Sequence, residues 1–159
     1  MTKKKILLTR RWPEAVEKRL SEDYDATLNT DDVPMTTEAI GAALADYDAV
    51  CPTVSDKLPA AIFNGGHRAQ ILGNFGVGFN HIDIAAATGA GLTVTNTPGV
   101  LTEDTADMTL ALMLSVTRRI PEGLSTMQAG DWTGWAPTAF LGGRLGGRRL
   151  GILGMGRVG

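Results

Sequence analysis

The last six residues of the sequence form a glycine pattern that could hold a diphosphate. Residues 154–159 read Gly-Met-Gly-Arg-Val-Gly, a Gly-x-Gly-x-x-Gly spacing. In such a loop the first glycine permits a tight turn, the second lets backbone approach a pyrophosphate, and the third allows close helix packing. The apolar residues Leu150, Ile152 and Leu153 precede it and are typical of a buried parallel strand. The pattern predicts a dinucleotide phosphate loop, and because no helix follows it, we expect a longer protein of which this is the front part.

A second glycine-rich stretch, residues 73–83, could bind a small carboxylate. It follows a predicted strand, and open α/β sheets bind ligands at the carboxyl ends of their strands. Gly76 and Gly78 would allow successive backbone N–H groups to face one anion. The same glycines could instead serve tight turns alone, so both interpretations stay open. Asp83 is expected to cap the following helix rather than to do chemistry.

The residues that most often act as acids, bases or nucleophiles give no catalytic pattern. His81 has no acidic partner by spacing, which favours a surface position or packing at a helix start, and His67 resembles a polar turn residue. Cys51 follows an apolar strand and is expected to be a small core residue. No group of side chains has metal-ligand spacing. The sequence therefore predicts binding loops without a catalytic acid, base, nucleophile or metal.

Alternating strands and helices are expected to position the second loop. The first helix should start at Trp12-Pro13 and bury Val16 and Leu20, and the second should be capped by Thr36 or Thr37. The second helix should bury Ile40, Ala43 and Leu44. The predicted strands are residues 5–9, 24–28, 49–51, 70–72 and 92–95, and the two short helices are residues 58–63 and 83–88. This alternation predicts a doubly wound α/β domain with a parallel sheet.

The pattern changes after Pro98, where a longer helix is predicted over residues 103–119. Thr102 could cap it, and Pro121 lies beyond its expected end. Residues 108–116 are apolar nearly all round, which indicates a helix covered on several sides. A helix between two domains and a central helix in one domain both satisfy this pattern.

The stretch of residues 130–147 is rich in glycine and has little predicted regular structure. It carries Trp132, Trp135 and Phe140. Exposed aromatic residues indicate a surface arm that packs against another surface, for which a second subunit is one candidate. A long loop folded back on its own domain is the alternative, and the sequence does not choose between them.

Composition bounds the class of protein. The chain has 159 residues, of which 43% are hydrophobic and 20% charged, so it can bury a core. The formal net charge of −2 argues against a nucleic-acid surface. The apolar stretches are too short for a signal peptide or a membrane span. The single cysteine, Cys51, fits a reducing compartment, and we expect a cytoplasmic protein.

Taken together, these motifs resemble the N-terminal half of a D-isomer-specific 2-hydroxyacid dehydrogenase, in the glyoxylate/hydroxypyruvate reductase (glycerate dehydrogenase) branch. The resemblance covers the whole chain. Its carriers are residues 76–83 (Gly-Val-Gly-Phe-Asn-His-Ile-Asp), residues 94–102 (Val-Thr-Asn-Thr-Pro-Gly-Val-Leu-Thr), residues 105–107 (Thr-Ala-Asp) and residues 154–159. It implies a flavodoxin-like substrate domain over residues 1–98. Residues 99–159 would then hold the hinge, the interdomain helix, a dimer arm and the start of a Rossmann NAD(P)-binding domain.

The resemblance also implies roles for particular residues. Val77 and Gly78 would offer N–H groups to the substrate carboxylate, and Thr53 and Val54 would form one wall of the pocket. Cofactor contacts would come from six residues: Thr105, Gly154, Gly156, Arg157, Val158 and Gly159. Trp132 and Trp135 would lie in an arm that forms a homodimer. The family's catalytic Arg, Glu and His lie after the glycine loop, so the sequence supplies no catalytic residue.

The function implied by the resemblance is reduction of a small 2-oxo acid, glyoxylate or hydroxypyruvate, to the D-2-hydroxy acid. The full-length protein would use NADPH or NADH, and the sequence does not distinguish the two. The alternative is a non-catalytic, nucleotide-sensing module of the same fold, as in corepressors. A methyltransferase is disfavoured, because no acidic residue opens the glycine loop.

Overall fold

The computed structural model describes residues 2–159, which divide into two compact units. One unit ends at Pro98 and the other spans Gly99–Gly159. The first is an α/β unit, which confirms the predicted fold class, and the second is built around two helices. Within the described residues, no helix is both long and apolar enough to cross a membrane.

The first unit is organised by one parallel sheet with the strand order β2-β1-β3-β4-β5. The strands are β1 (Lys5–Leu8), β2 (Asp25–Thr27), β3 (Ala49–Cys51), β4 (Ile71–Gly73) and β5 (Thr93–Thr95). The helices are α1 (Glu14–Asp23), α2 (Thr37–Asp46) and α3 (Ile84–Gly89), with a 3₁₀ turn at Ala60–Phe63. This order is that of a flavodoxin-like doubly wound sheet, with its switch point between β1 and β3.

The two faces of the sheet bury different amounts of apolar surface. Along β1 the side chains alternate, so Leu7 joins one hydrophobic cluster while Ile6 and Leu8 join the other. The larger cluster also takes in α2, the 3₁₀ turn and α3, and it includes the fully buried Leu72 of β4. The smaller cluster is completed by Trp12 and by Leu20 of α1. Leu72 therefore anchors the strand that leads into the glycine-rich stretch 73–83.

Helix α2 follows its sequence prediction. The Thr36 hydroxyl accepts a hydrogen bond from the Ala39 N–H, so Thr36 rather than Thr37 is the cap. The buried residues are Ile40, Ala43 and Leu44, as their helical spacing predicts.

Helix α1 differs from its prediction. Pro13 lies at the cap position rather than in the first turn, and the predicted inner residue Val16 is 38% exposed. Glu17 is buried instead, because its Oε1 accepts hydrogen bonds from the Trp12 N–H at 2.7 Å and from Arg11 Nε at 3.2 Å. A polar residue that satisfies the free N–H groups at a helix start can be buried at low cost, which hydrophobic periodicity does not reveal.

The second unit contains one helix that the sequence did not predict. Helix α4 (Thr102–Thr117) starts from Leu101, which gives no side-chain cap, so the expected cap at Thr102 is wrong. Arg119 then adopts a left-handed conformation, with φ of 55°, and opens α5 (Ile120–Ala129). Pro121 lies beyond the end of α4, as predicted, and it falls in the first turn of a new helix, where proline is tolerated.

The predicted strand before the phosphate loop is not formed. Residues 148–159 have no strand assignment, and Leu150, Ile152 and Leu153 are exposed. A strand needs a hydrogen-bonding neighbour, and residues 99–159, all described, contain no other strand. Helix α4 was expected to be covered on several sides, yet none of its residues is buried. Both segments are apolar in sequence, and neither is buried among the described residues.

The glycine-rich arm partly folds back on the second unit. The Gly143 N–H donates to the Thr117 carbonyl at 2.8 Å, and the Arg119 guanidinium lies 5.7 Å from the centre of the Phe140 ring. Trp132 and Trp135 remain 55% and 85% exposed. The fold-back interpretation therefore holds for residues 140–143, whereas the two tryptophans contact little of their own unit.

Candidate functional site

Three loops meet at the carboxyl edge of the sheet, where β3, β4 and β5 end. The loop after β4, residues 74–83, is called the anion loop here. Its Phe75 N–H donates to the Pro52 carbonyl of the β3 loop at 2.8 Å. On its other side, the Thr97 N–H of the β5 loop donates to the Gly76 carbonyl at 3.0 Å. The anion loop is thus tied to both neighbours by backbone hydrogen bonds.

In the middle of the anion loop, the carbonyl groups of residues 76–78 accept hydrogen bonds, whereas the N–H groups of residues 77–81 are free. Besides Thr97, two asparagine side chains donate to these carbonyls: Asn96 Nδ2 to Val77 at 2.9 Å, and Asn74 Nδ2 to Gly76 at 3.2 Å and Gly78 at 3.0 Å. In contrast, the five consecutive N–H groups of residues 77–81 have no acceptor among residues 2–159. Successive free N–H groups that converge on one point can bind an anion.

Asn74 and His81 form the base of the anion loop. Asn74 is 2% exposed, and its Oδ1 lies 2.9 Å from His81 Nε2. Desolvation of the partly buried imidazole lowers the pKa of His81, and the charge of Asp56 opposes part of this effect. His81 was expected to lie at the surface or at a helix start without an acidic partner, and its hydrogen-bond partner is the Asn74 amide.

The β3 loop forms one wall beside the anion loop. Its Asp56 carboxylate is buried and accepts hydrogen bonds from the Thr53 N–H at 2.7 Å and the Thr9 hydroxyl at 2.6 Å. Val54 is 58% exposed, and a Cβ added to Gly76 would lie 2.5 Å from its Cγ1. The absence of a side chain at Gly76 is therefore what lets the Val54 wall lie against the anion loop.

Gly76 and Gly78 do not adopt the left-handed conformation that a nest of alternating handedness uses. Anion binding at these two glycines stays a prediction, and the free N–H groups that it needs are present at residues 77–81. Gly76 provides space instead, and an added Cβ at Gly78 would meet nothing within 4 Å. Asp83 caps α3 through a hydrogen bond from the Ala86 N–H at 2.9 Å, as predicted.

Other reactive side chains of the first unit are not arranged for chemistry. Cys51 is buried, and desolvation raises the pKa of its thiol to about 11, so it is not a nucleophile at neutral pH. Within residues 2–159, no group of three or more His, Cys, Asp or Glu side chains could hold a metal ion.

The second unit contains the other candidate loop, residues 154–159, called the phosphate loop here. Gly154 has a φ of 91°, which glycine adopts without strain. Together with α4 residues that include Ala106, Leu110 and Met113, the loop lines a cavity of about 570 Å³. Arg157 is exposed and makes no salt bridge with any described residue.

Thr105 lies in the first turn of α4, one residue before the cavity-lining Ala106. Its hydroxyl donates to the Leu101 carbonyl, which leaves the oxygen able to accept a hydrogen bond.

The N–H groups of residues 150–159, which include the phosphate loop, have no acceptor among residues 2–159.

Comparison with known proteins places the chain in a family. The family model described as "D-isomer specific 2-hydroxyacid dehydrogenase, catalytic domain" matches residues 6–140. The chain belongs to this family. The resemblance predicted from the sequence motifs is thereby confirmed.

Curated relatives in this family include glyoxylate reductases from archaea. The enzyme of Thermococcus onnurineus is 37% identical over 99% of this chain, and that of Aeropyrum pernix is 39% identical over 100%. The chain spans about half the length of the curated relatives it matches, 48% and 49% respectively.

Solved structures of dehydrogenases share the fold. A Polaromonas protein assigned to the NAD-binding D-isomer specific 2-hydroxyacid dehydrogenases has a TM-score of 0.88 and 34% identity. The match covers 98% of this chain and 49% of that one. The NADPH-dependent glyoxylate/hydroxypyruvate reductase of Sinorhizobium meliloti, in complex with citrate, has a TM-score of 0.74 and 30% identity. Here the match covers 99% of this chain and 48% of that one.

Sequence analysis missed the side chains that support the anion loop. Asn74 directly follows β4 and Asn96 directly follows β5, so their positions at adjacent strand ends could have indicated a shared role. Asp56 and its contact with Thr9 join segments 47 residues apart, and spacing along the chain gives no sign of that contact.

Proposed function

We propose that this chain supplies the substrate-carboxylate loop and part of the cofactor site of an NAD(P)H-dependent reductase of small 2-oxo acids. The observation that carries the proposal is the run of five free N–H groups at the carboxyl edge of a parallel sheet. Glyoxylate and hydroxypyruvate are the substrates we favour, since both appear in the descriptions of the relatives.

In this proposal the substrate carboxylate is held by the N–H groups of Val77 and Gly78. Hydrogen bonds from N–H groups to an ionised carboxylate are stronger than those between neutral groups. The adjacent Val54 and Thr53 would form the wall that limits the size of the substrate. Substrate specificity would therefore depend on the β3 loop more than on the anion loop itself.

The cofactor would be NADP or NAD, and the residues of the phosphate loop fit a diphosphate in two respects. The N–H groups of Gly154, Gly156, Val158 and Gly159 have no acceptor among the described residues, and Arg157 has no competing carboxylate. Thr105 would contribute its hydroxyl oxygen. When bound, the nicotinamide would supply the hydride. The NADPH-dependent Sinorhizobium meliloti relative favours NADP.

The wider organisation belongs to the same proposal. Residues 1–98 would be the substrate domain, and residues 99–159 the hinge, the interdomain helix, the dimer arm and the start of the cofactor domain. The exposed Trp132 and Trp135 support a homodimer through the arm. We place the protein in the cytoplasm, because a single buried thiol suits a reducing compartment.

Carboxylate binding can be tested directly on the 159-residue chain by two-dimensional ¹H–¹⁵N NMR. Oxamate, an unreactive analogue of a 2-oxo acid, should shift the amide signals of residues 77–81 in a saturable way. The amides of the β2 edge, Asp25–Thr27, serve as the internal control and should not move. If the same residues stay unshifted at high oxamate concentration, the carboxylate site is wrong.

Turnover is a separate question that requires the catalytic residues as well. NADPH oxidation should be followed with glyoxylate and with hydroxypyruvate, alongside the intact mass of the purified protein. Turnover by a protein heavier than 16.8 kDa would support the reductase. Nucleotide and carboxylate binding without turnover, by that longer protein, would favour the nucleotide-sensing module instead.

A further inference from the structure

The buried amide of Asn74 has all its hydrogen-bonding groups engaged, and this fixes its orientation. Nδ2 lies within hydrogen-bond distance of the Gly76 and Gly78 carbonyls, and carbonyl oxygens can only accept. The NH₂ group must therefore face these two carbonyls, and Oδ1 must face His81. The amide cannot be flipped without placing its oxygen against two other oxygens.

The orientation of Asn74 decides the proton position on His81. Since Oδ1 is an acceptor, the His81 Nε2 that lies 2.9 Å away must carry the proton and donate it. The neutral imidazole is then the Nε2–H tautomer. Protonation at Nδ1 would leave this hydrogen bond in place.

We propose that Asn74, locked by His81, is the positioning residue of the carboxylate-binding loop. By drawing the Gly76 and Gly78 carbonyls toward one buried amide, Asn74 leaves the intervening and following N–H groups available to the ligand. The inference rests on the proposed carboxylate site. It adds that the affinity of this site depends on a side chain that does not itself contact the substrate.

The first unit offers a matched control for this role. Asn29, in the loop after β2, also donates from Nδ2 to two backbone carbonyls, those of Thr9 and Val33, each at 2.7 Å. Asn29 thus performs the same structural task two strands away from β3. Replacing Asn29 with leucine removes its two hydrogen bonds to carbonyls, and replacing Asn74 removes two such bonds together with the one to His81. Neither change adds charge.

The test compares N74L and N29L in the 159-residue chain, with oxamate affinity measured from the NMR titration. We expect N74L to weaken oxamate binding about tenfold or more, because the Gly76 and Gly78 carbonyls lose the side-chain donor that holds them in place. N29L should leave the affinity within about twofold, although both variants lose folding stability. Equal weakening in the two variants, or unchanged affinity in N74L, would overturn the proposal.

Histidine variants provide a second test of the same arrangement. H81Q retains an N–H donor and should bind oxamate within about threefold of the wild type, whereas H81L should resemble N74L. If H81L and H81Q bind equally well, His81 does not lock Asn74.

A spectroscopic readout separates this inference from the carboxylate proposal. A protected imidazole Nε2–H signal of His81 should be visible in the wild-type chain and lost in N74L, with or without oxamate. If the wild type binds no oxamate but shows this signal, the carboxylate site fails and the Asn74–His81 lock stands. If the wild type binds oxamate but lacks this signal, the hydrogen bond from His81 to Asn74 is wrong and the carboxylate site stands.

Discussion

The anion loop and the phosphate loop are both rich in glycine, yet they are supported in different ways. The anion loop follows a strand anchored by the fully buried Leu72, and hydrogen bonds occupy its carbonyls at residues 76–78. Residues 149–159, which include the phosphate loop, make no hydrogen bond with any described residue. None of residues 99–159 is buried.

This difference separates two uses of glycine in a binding loop. Gly76 provides space for the neighbouring Val54, whereas Gly154 provides a φ of 91°. The anion loop is held in place by its own unit, because the donors to its carbonyls all belong to the first 98 residues. A site whose groups are already fixed loses little entropy when a ligand binds. The anion loop should therefore bind its ligand without help from other parts of the protein.

The largest expected difference is in the cost of removing a leucine side chain from the first unit and from the second. Leu72→Ala should lower the free energy of unfolding of the first unit by about 2–5 kcal/mol, because it leaves a cavity in a packed core. Leu112→Ala, at a position 57% exposed in α4, should change the free energy of unfolding of the second unit by no more than about 0.5 kcal/mol. Urea unfolding of the 159-residue chain measures both. A cost at Leu112 as large as that at Leu72 would show that α4 is covered in solution.

The next prediction concerns the space at Gly76. Gly76→Ala should destabilise the first unit by about 1–3 kcal/mol, because the new Cβ would overlap Val54 Cγ1. Gly78→Ala is the matched control, since nothing lies within 4 Å of its added Cβ. The double variant Val54→Ala with Gly76→Ala should recover most of the loss. Failure of this rescue would mean that Gly76 is required for its backbone conformation and not for space.

The elements of the first unit could be predicted because their signals are local. The cap at Thr36 and the buried Ile40 and Leu44 lie within one short segment, and period and capping chemistry determine their placement. The sheet followed from the alternation of strands and helices. The same method failed at Glu17, which is buried through hydrogen bonds to the backbone of Trp12 and the side chain of Arg11.

The candidate site was only partly predictable for a related reason. Free N–H groups at residues 77 and 78 followed from glycine spacing and from the family resemblance. The supporting contacts of Asn74 with His81, and of Asn96 with Val77, depend on how separate loops meet at the sheet edge. In the second unit, the strand at residues 150–153 was predicted from apolar character alone. Hydrophobicity indicates that a segment should be buried, but it does not show whether another strand lies beside the segment to form the hydrogen bonds of a sheet.

A smaller effect is expected for the conformational glycine of the phosphate loop. Gly154→Ala should cost about 1–2 kcal/mol in the bound loop, because an L-residue is disfavoured at a φ of 91°. In a form of this protein that binds NADPH, the affinity for NADPH should fall about tenfold, as measured from the fluorescence of the bound nucleotide. Gly156→Ala is the control, since Gly156 has no positive φ and its added Cβ would meet nothing within 4 Å. The difference between the two variants therefore measures the effect of backbone conformation. If Gly156→Ala weakens binding as much as Gly154→Ala, close approach of the ligand and not φ is the common cause.

The smallest effect is a pH dependence confined to the anion loop. Desolvation lowers the pKa of His81 below its ordinary value of about 6.5, so the folded chain favours the neutral imidazole. The unfolded chain binds the proton first as the pH falls. The stabilising contribution of neutral His81 is therefore complete above about pH 6.5 and is lost as the pH falls through the lower folded pKa.

Urea unfolding at about pH 8 and about pH 5.5 measures this contribution, with His67→Gln present in every protein so that only His81 titrates among the histidines. The acid-induced loss of stability should be smaller in His81→Gln, because glutamine does not ionise. Amide signals of residues 77–81 should shift over the same pH range, whereas those of residues 154–159 should stay fixed, since no histidine lies in the second unit. Matching shifts in both loops would contradict the view that the anion loop is held entirely by its own unit.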